Sequence, residues 1–191
     1  METVEKRLLL LTGEPGVGKT TILLKTVEAL RAEGYSVGGM ISREVRSCGG
    51  WVGFEILDLK GDKSGWLAHV NQKTGPQVGK YRVNLENLNG LGAASMLKAV
   101  GGSDVIAIDE IGPMELFSEK FIEAVRKAIE SQKLVISIIH RRAKHPLIDE
   151  IRNRTDAEIY TVTHENIENL HKFVVQRATE FLSRKNENKA L

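Results

Sequence analysis

Eight consecutive residues, Gly13, Glu14, Pro15, Gly16, Val17, Gly18, Lys19 and Thr20, carry the pattern G-x-x-x-x-G-K-[ST] in full. Their chemistry is that of a polyphosphate cradle. Glycines let the backbone curl so that successive N–H groups face phosphate oxygens, at a helix N-terminus whose partial positive charge favours anions. Lys19 supplies a point charge for the β- and γ-phosphates. Thr20 offers a hydroxyl to Mg²⁺, a hard cation that takes oxygen ligands and keeps several waters.

About ninety residues further on, within the reach of intervening βα units, stand two adjacent carboxylates, Asp109 and Glu110. They close the apolar run Val105, Ile106, Ala107, Ile108 and are followed by Ile111 and Gly112. A carboxylate at the carboxyl end of a buried strand, beside a phosphate loop, is the Walker B arrangement for holding Mg²⁺. Two carboxylates in sequence divide the labour. Asp109, with Thr20, serves the metal, and Glu110 orients and polarises an attacking water as general base; Lys19 is the second catalytic candidate, through its charge on the β- and γ-phosphates. An acidic turn after a strand is the ordinary alternative, and the loop upstream decides against it.

Phosphoryl transfer also calls for positive charge at the leaving group, often from arginine. Arg46, Arg141 and Arg142 are the candidates. Thr163, His164 and Asn166 are candidates for base recognition, with helix capping by Thr163 as the competing reading. Trp51 and Trp66 suit packing on strands as well as stacking on a base. His140 and His145 lack the companion spacing of a zinc site.

These groups need elements to hold them. Leu8 to Leu11 reads as a buried parallel strand before the loop, and Ile22, Leu23, Val27 and Leu30 recur at helical spacing after it, up to a stop at Gly34. Residues 36–70 read as an antiparallel insert. Ser36 to Ile41 continues through Arg46 to a turn at Ser47–Gly50, and the chain returns through Trp51 to Leu59 as a hairpin. After a second turn, Trp66 to Val70 is a short strand. A helix spans Leu85 to Val100, weakened by Gly90 and Gly92. Ser118 caps a helix with the stripe Phe121, Ile122, Val125 and Ile129. Leu134 to Ile139 and Glu158 to Val162 are further strands, and Asn166 to Ser183 is the closing helix, with Arg184 to Leu191 frayed. Alternation of strands and helices around a phosphate loop predicts an α/β fold, a mostly parallel sheet with helices on both faces and the hairpin as an antiparallel insert.

The 191 residues suffice for one such domain spanning 1–191 and are few for two. A hydrophobic fraction of 41% and a net charge of +2 describe an ordinary globular chain, with no basic field for nucleic acid or anionic membrane. No apolar run reaches membrane length and no signal-peptide pattern opens the chain. Cys48 is the single cysteine, which excludes an internal disulfide and points to a reduced, cytoplasmic setting.

With these pieces placed, the chain resembles the thermophilic-type nucleoside-triphosphatase family. The resemblance is carried by Gly13 to Thr21, Glu44-Val45-Arg46, Gly53-Phe54, Val78-Gly79-Lys80-Tyr81, Ile108 to Gly112, Met114-Glu115-Leu116, Ile151 to Arg154, and Val162-Thr163 with Asn166. It covers nearly the whole chain. It implies a RecA-like or kinase-like P-loop fold and slow Mg²⁺-dependent hydrolysis of several nucleoside triphosphates to diphosphate and phosphate. It also implies nucleotide contacts in Gly13 to Thr20 and Val105 to Gly112. The turn between Arg46 and Trp51 departs from the pattern, as does Pro113, where some relatives carry lysine.

Hydrolysis of ATP, GTP, CTP and UTP is therefore the leading expectation, since paired carboxylates at a strand end suit a water nucleophile. A kinase transferring phosphate to a nucleotide, polynucleotide or small acceptor, with Arg141 to Pro146 as the lid over the phosphates, is the second reading. A nucleotide-dependent switch is the third, although the N-K-x-D motif of guanine-selective switches is absent.

Overall fold

Residues 4–187 are described by the computed structural model. The four leucines of β1 (Leu8–Thr12) show how the core is built. Side chains alternate across a strand, so Leu8 and Leu10 enter one hydrophobic cluster and Leu9 and Leu11 the other. All four are at most 1% exposed, which is why the run is continuous rather than alternating. Each such burial contributes roughly 1.5–3 kcal/mol. β7 (Val105–Ile111) divides in the same way, Ile106 and Ile108 to one side and Val105 and Ala107 to the other.

α1 (Lys19–Ala32) and α6 (Ile167–Glu187) cover one face, burying Ile22, Leu23, Val27 and Leu30 with Val174, Ala178, Phe181 and Leu182. The other face is covered by α3 (Ala93–Gly102), α4 (Glu119–Glu130) and α5 (Pro146–Arg152). Ser118 caps α4 as its position predicts, its side chain accepting from the Phe121 N–H at 3.0 Å. His145 caps α5, which the sequence reading left unassigned, and Pro146 occupies the first turn where its missing N–H costs nothing.

Among the described residues the sheet has nine strands, in the order β5-β6-β4-β3-β2-β7-β8-β1-β9. β8 (Leu134–Ile139) lies between β7 and β1, and β9 (Ala157–Thr161) is the edge. The ladders β2–β7, β7–β8, β8–β1 and β1–β9 are parallel, so the carboxyl ends of these strands share one rim. On this frame β2 (Val37–Ser47) is a hybrid: its first residues pair in parallel with β7, and the remainder pairs antiparallel with β3 (Gly50–Asp58). β4 (Ser64–His69), β5 (Gln77–Val78) and β6 (Tyr81–Val83) extend the antiparallel part to residue 83, beyond the segment that the sequence pattern marks. The two-residue β5 and three-residue β6 are too short to leave a periodic signal.

Gly90 and Gly92 mark a local change of helix type. A short turn, α2 (Leu85–Asn87), leads into a π-helical turn over Leu88–Gly92 before α3 begins. Gly92 packs against Met40 and Ile56, where a β-carbon would lie 3.1 Å from the Met40 sulfur. At the other end, α6 continues through Arg184 to Glu187, so these residues are helical rather than frayed, and 188–191 lie outside the described residues.

Candidate active site

The loop after β1 is shaped by its glycines. Gly18 adopts φ 104° as it leads into α1, a conformation other residues rarely hold, and a β-carbon there would lie 2.3 Å from the Ile167 Cδ1. No side chain caps α1, and its first turn carries no acid. Its N-terminal N–H groups and the positive end of its dipole therefore face the loop. Lys19 reaches back over the loop and donates to the Gly13 carbonyl at 3.1 Å and the Glu14 carbonyl at 2.9 Å.

Asp109 follows Ile108, the last β7 residue paired with β2, and is 2% exposed. Thr20 donates its hydroxyl to Asp109 Oδ2 at 2.8 Å, bridging 89 residues of sequence. Burial pushes the Asp109 carboxyl up to about 7; the Thr20 hydroxyl and Lys19 work against that, and Glu110 adds to it. Such a site gains from a cation. The paired oxygens of Thr20 and Asp109 are hard donors of the type that suits a small divalent metal completed by water and phosphate oxygens. Among the described residues no group of three or more histidine, cysteine or acidic side chains forms a ready-made metal cage, which such a metal does not require.

Glu110 follows where the ladder between β7 and β8 shifts register, between Ile108 and Ile111. Its carboxyl is likewise raised by burial, with His140 and Lys19 drawing it down. Glu110 Oε1 and Glu115 Oε2 lie on the same side of Gly112, 2.9 and 3.2 Å from where its β-carbon would be. Glu115 is 5% exposed, and burial pushes it up to about 8, with the charges of Glu110 and Asp109 adding to the effect. Glu115 thus joins Asp109 and Glu110 as a third carboxyl group lining one cleft.

These groups face a cleft of about 590 Å³. Pro15, Gly16, Gly18, Lys19 and Thr20 form one wall, and Asp109 and Glu110 form the floor. Of the arginine candidates, Arg141 and Arg142 are brought to the loop: the first lies 2.5 Å and the second 3.3 Å from Glu14 Oε1. Arg46 stacks on the Trp51 ring at 3.6 Å along the hairpin and is not among the lining residues. Asn166 folds back on its own turn, accepting from the Thr163 N–H and donating to the Thr161 carbonyl, both at 2.9 Å. Trp66 packs against His69. His145 accepts from the Leu147 N–H, and His140 lines the cleft and accepts from the Arg142 N–H at 3.2 Å.

Sequence reasoning overlooked Arg43, Phe54 and Glu115 as lining groups. Arg43 and Phe54 arrive through antiparallel pairing, whose register is not written in either strand alone. Glu115 had a signal, a carboxylate just past a Gly-Pro turn that follows the Asp109 strand.

Residues 8–175 match the NTPase family. The nucleoside-triphosphatase THEP1 of Thermofilum pendens is 48% identical over 158 residues, covering 82% of this chain and 87% of the relative. That of Methanopyrus kandleri is 40% identical over 176 residues, covering 91% and 96%. The crystal structure of THEP1 from Aquifex aeolicus superposes with a TM-score of 0.77 at 35% identity, over 87% of this chain and 96% of that one. The solution structure of a human cancer-related nucleoside triphosphatase gives 0.76 at 37%, over 89% and 96%. The chain therefore belongs to the NTPase family and is an enzyme of the nucleoside-triphosphatase class.

Proposed function

We infer that this enzyme hydrolyses ATP, GTP, CTP and UTP to diphosphate and phosphate with Mg²⁺, with slow turnover. The observation that carries the reading is the Thr20–Asp109 hydrogen bond of 2.8 Å, which joins the phosphate loop to the carboxyl end of β7. N–H groups of Gly13 to Gly18 hold the phosphates, with Glu14, Pro15 and Val17 shaping the loop and Lys19 turning from its carbonyls to the β- and γ-oxygens. Thr20 and Asp109 hold Mg²⁺, which supplies charge neutralisation at the phosphates. Val105 to Ile108 present Asp109 and Glu110 at the rim, and Ile111 and Gly112 follow them in the chain. Glu110 takes the proton of a water attacking the γ-phosphorus, in line with departure of the diphosphate. Lys19 stays on the phosphates as their charge changes. Slow turnover is what the resemblance to this family implies.

Phosphate-loop grips do not read the base, which supports breadth over the four triphosphates. Among the described residues no helix is long and apolar enough to cross a membrane. A single cysteine, exposed at the hairpin tip, supports a reduced cytoplasmic setting. Phosphate release from each triphosphate with Mg²⁺, without any other acceptor, tests the reading. Release from all four supports it, and release from one alone restricts the substrate.

A further inference from the structure

The cleft extends beyond its phosphate-loop side. Its loop side, from Pro15 to Thr20, already accounts for phosphates and metal. Past Glu110 it continues across the junction of the parallel and antiparallel parts of the sheet. There its walls are Arg43 and Glu44 from β2, Phe54 from β3, Leu67 from β4, Val78 from β5, and Met114 from the turn after β7. None of Thr163, His164 and Asn166 lines it, so this half is separate from the segment after β9.

The walls are built in advance. Phe54 is braced edge-on by Tyr81, with ring centroids 5.0 Å apart. The Arg43 guanidinium is fixed by Glu55 at 2.6 and 2.8 Å, which leaves further N–H donors on its planar fork. Glu44 beside it offers acceptors. An aromatic face flanked by aliphatic side chains, with donors and acceptors at its border, suits a flat ring with a hydrogen-bonding edge. Strands β3, β4 and β5 supply Phe54, Leu67 and Val78 to this surface, and attack by water has no need of it.

We propose that this half-cleft binds a nucleoside as second substrate, and that the enzyme transfers the γ-phosphoryl group to a nucleoside hydroxyl. The inference rests on the triphosphate site described above. Glu110 lies between the two halves, where a hydroxyl replaces the water. The hydroxyl oxygen forms a bond to the γ-phosphorus, and the bond from that phosphorus to the β,γ-bridging oxygen breaks. The bridging oxygen keeps the electron pair and leaves on the diphosphate. The hydroxyl proton passes to Glu110 and then to solvent. The products are a nucleoside diphosphate and a nucleoside monophosphate. Hydrolysis is what the same site does when no nucleoside occupies it.

The test incubates the full chain with γ-labelled ATP, Mg²⁺ and adenosine, guanosine, cytidine or uridine, and measures label in nucleoside monophosphate and in free phosphate. Label is expected in at least one monophosphate. Phe54→Ala is expected to lower the ratio of transferred to released label at least tenfold. Val78→Arg, on the short edge hairpin, fills the half-cleft and gives the same result should the first variant not fold. Free phosphate as the sole product at saturating nucleoside overturns the proposal and leaves hydrolysis standing. Equal transfer to glycerol overturns the nucleoside assignment. No label in either product overturns the triphosphate reading as well.

Discussion

Arg141 and Glu14 meet at 2.5 Å across 127 residues of sequence, tying the end of β8 to the second residue of the phosphate loop. Both side chains are about half exposed, at 52% and 51%, so the pair adds little stability. Its consequence is position. Arg152 donates to the carbonyls of His140 and Arg141 at 3.2 and 3.1 Å, which fixes the backbone from which the guanidinium extends. A γ-phosphate would compete with Glu14 for that guanidinium. Arg141→Ala is expected to lower kcat about a hundredfold, the size of losing one charge-stabilising donor, with KM changed much less. Arg142→Ala, with its more exposed side chain and 3.3 Å contact, should lose less. Wild-type kcat in Arg141→Ala protein would return this arginine to the solvent.

Lys19 donates to the Gly13 and Glu14 carbonyls, so removing it affects the loop as well as the phosphates. Lys19→Ala should weaken nucleotide binding about ten- to a hundredfold, the range for losing charged hydrogen bonds, and abolish turnover. Titration with a fluorescent nucleotide measures the first effect. Unchanged affinity would remove the phosphate-loop assignment.

Thr20→Ala deletes the hydroxyl bonded to Asp109. The Mg²⁺ concentration needed for half-maximal phosphate release should rise about tenfold or more, and a chelator should stop release in the native enzyme. Release that persists in chelator would show that the oxygen pair holds no metal needed for turnover.

Glu115 gives the metal-free protein a pH-dependent stability. Its ordinary value is 4.5 and burial raises it to about 8 in the folded state. Between those values the folded protein keeps a proton that the unfolded chain releases, so folding stability falls as pH rises from about 4.5 to 8. Glu115→Gln removes that proton equilibrium. Denaturant unfolding at pH 5 and pH 8 should show a smaller difference in the variant, by on the order of a few kcal/mol. An identical difference would mean that Glu115 is ionised in the folded protein.

Gly39 sits where β2 runs beside β7, at φ 122°, and an added β-carbon would lie 2.0 Å from the Ala107 carbonyl oxygen. Backbone cannot yield as a side-chain tip does, so Gly39→Ala should cost roughly 3 kcal/mol or more. Gly49→Ala at the hairpin turn, with φ 79° and nothing within 4 Å, should cost about 1 kcal/mol. Thermal unfolding of the two variants compares them directly, and a Gly39→Ala protein as stable as Gly49→Ala would contradict the packing described here.

The parts legible in the sequence were those whose physics is local. Leu8 to Leu11, the spaced apolar residues of α1 and the capping hydroxyl of Ser118 each announce their element within a few residues. What escaped depends on pairing over distance. β5 and β6 exist because β4 offers them a partner, and Arg43 and Phe54 face the cleft through strand register. Arg46 reads from sequence as equal to Arg141, yet the hairpin stacks it on Trp51 while the end of β8 delivers Arg141 to the loop. Gly90 and Gly92, which weaken the helix in propensity, fall within its π-helical turn.

The most direct test of the hydrolytic account is Glu110→Gln, with Mg²⁺-nucleotide affinity and phosphate release measured on the same protein. Loss of the general base predicts affinity near that of the native enzyme and release slower by about two to four orders of magnitude. Release at the native rate would contradict the account, because the proton of the attacking water would then leave by another group.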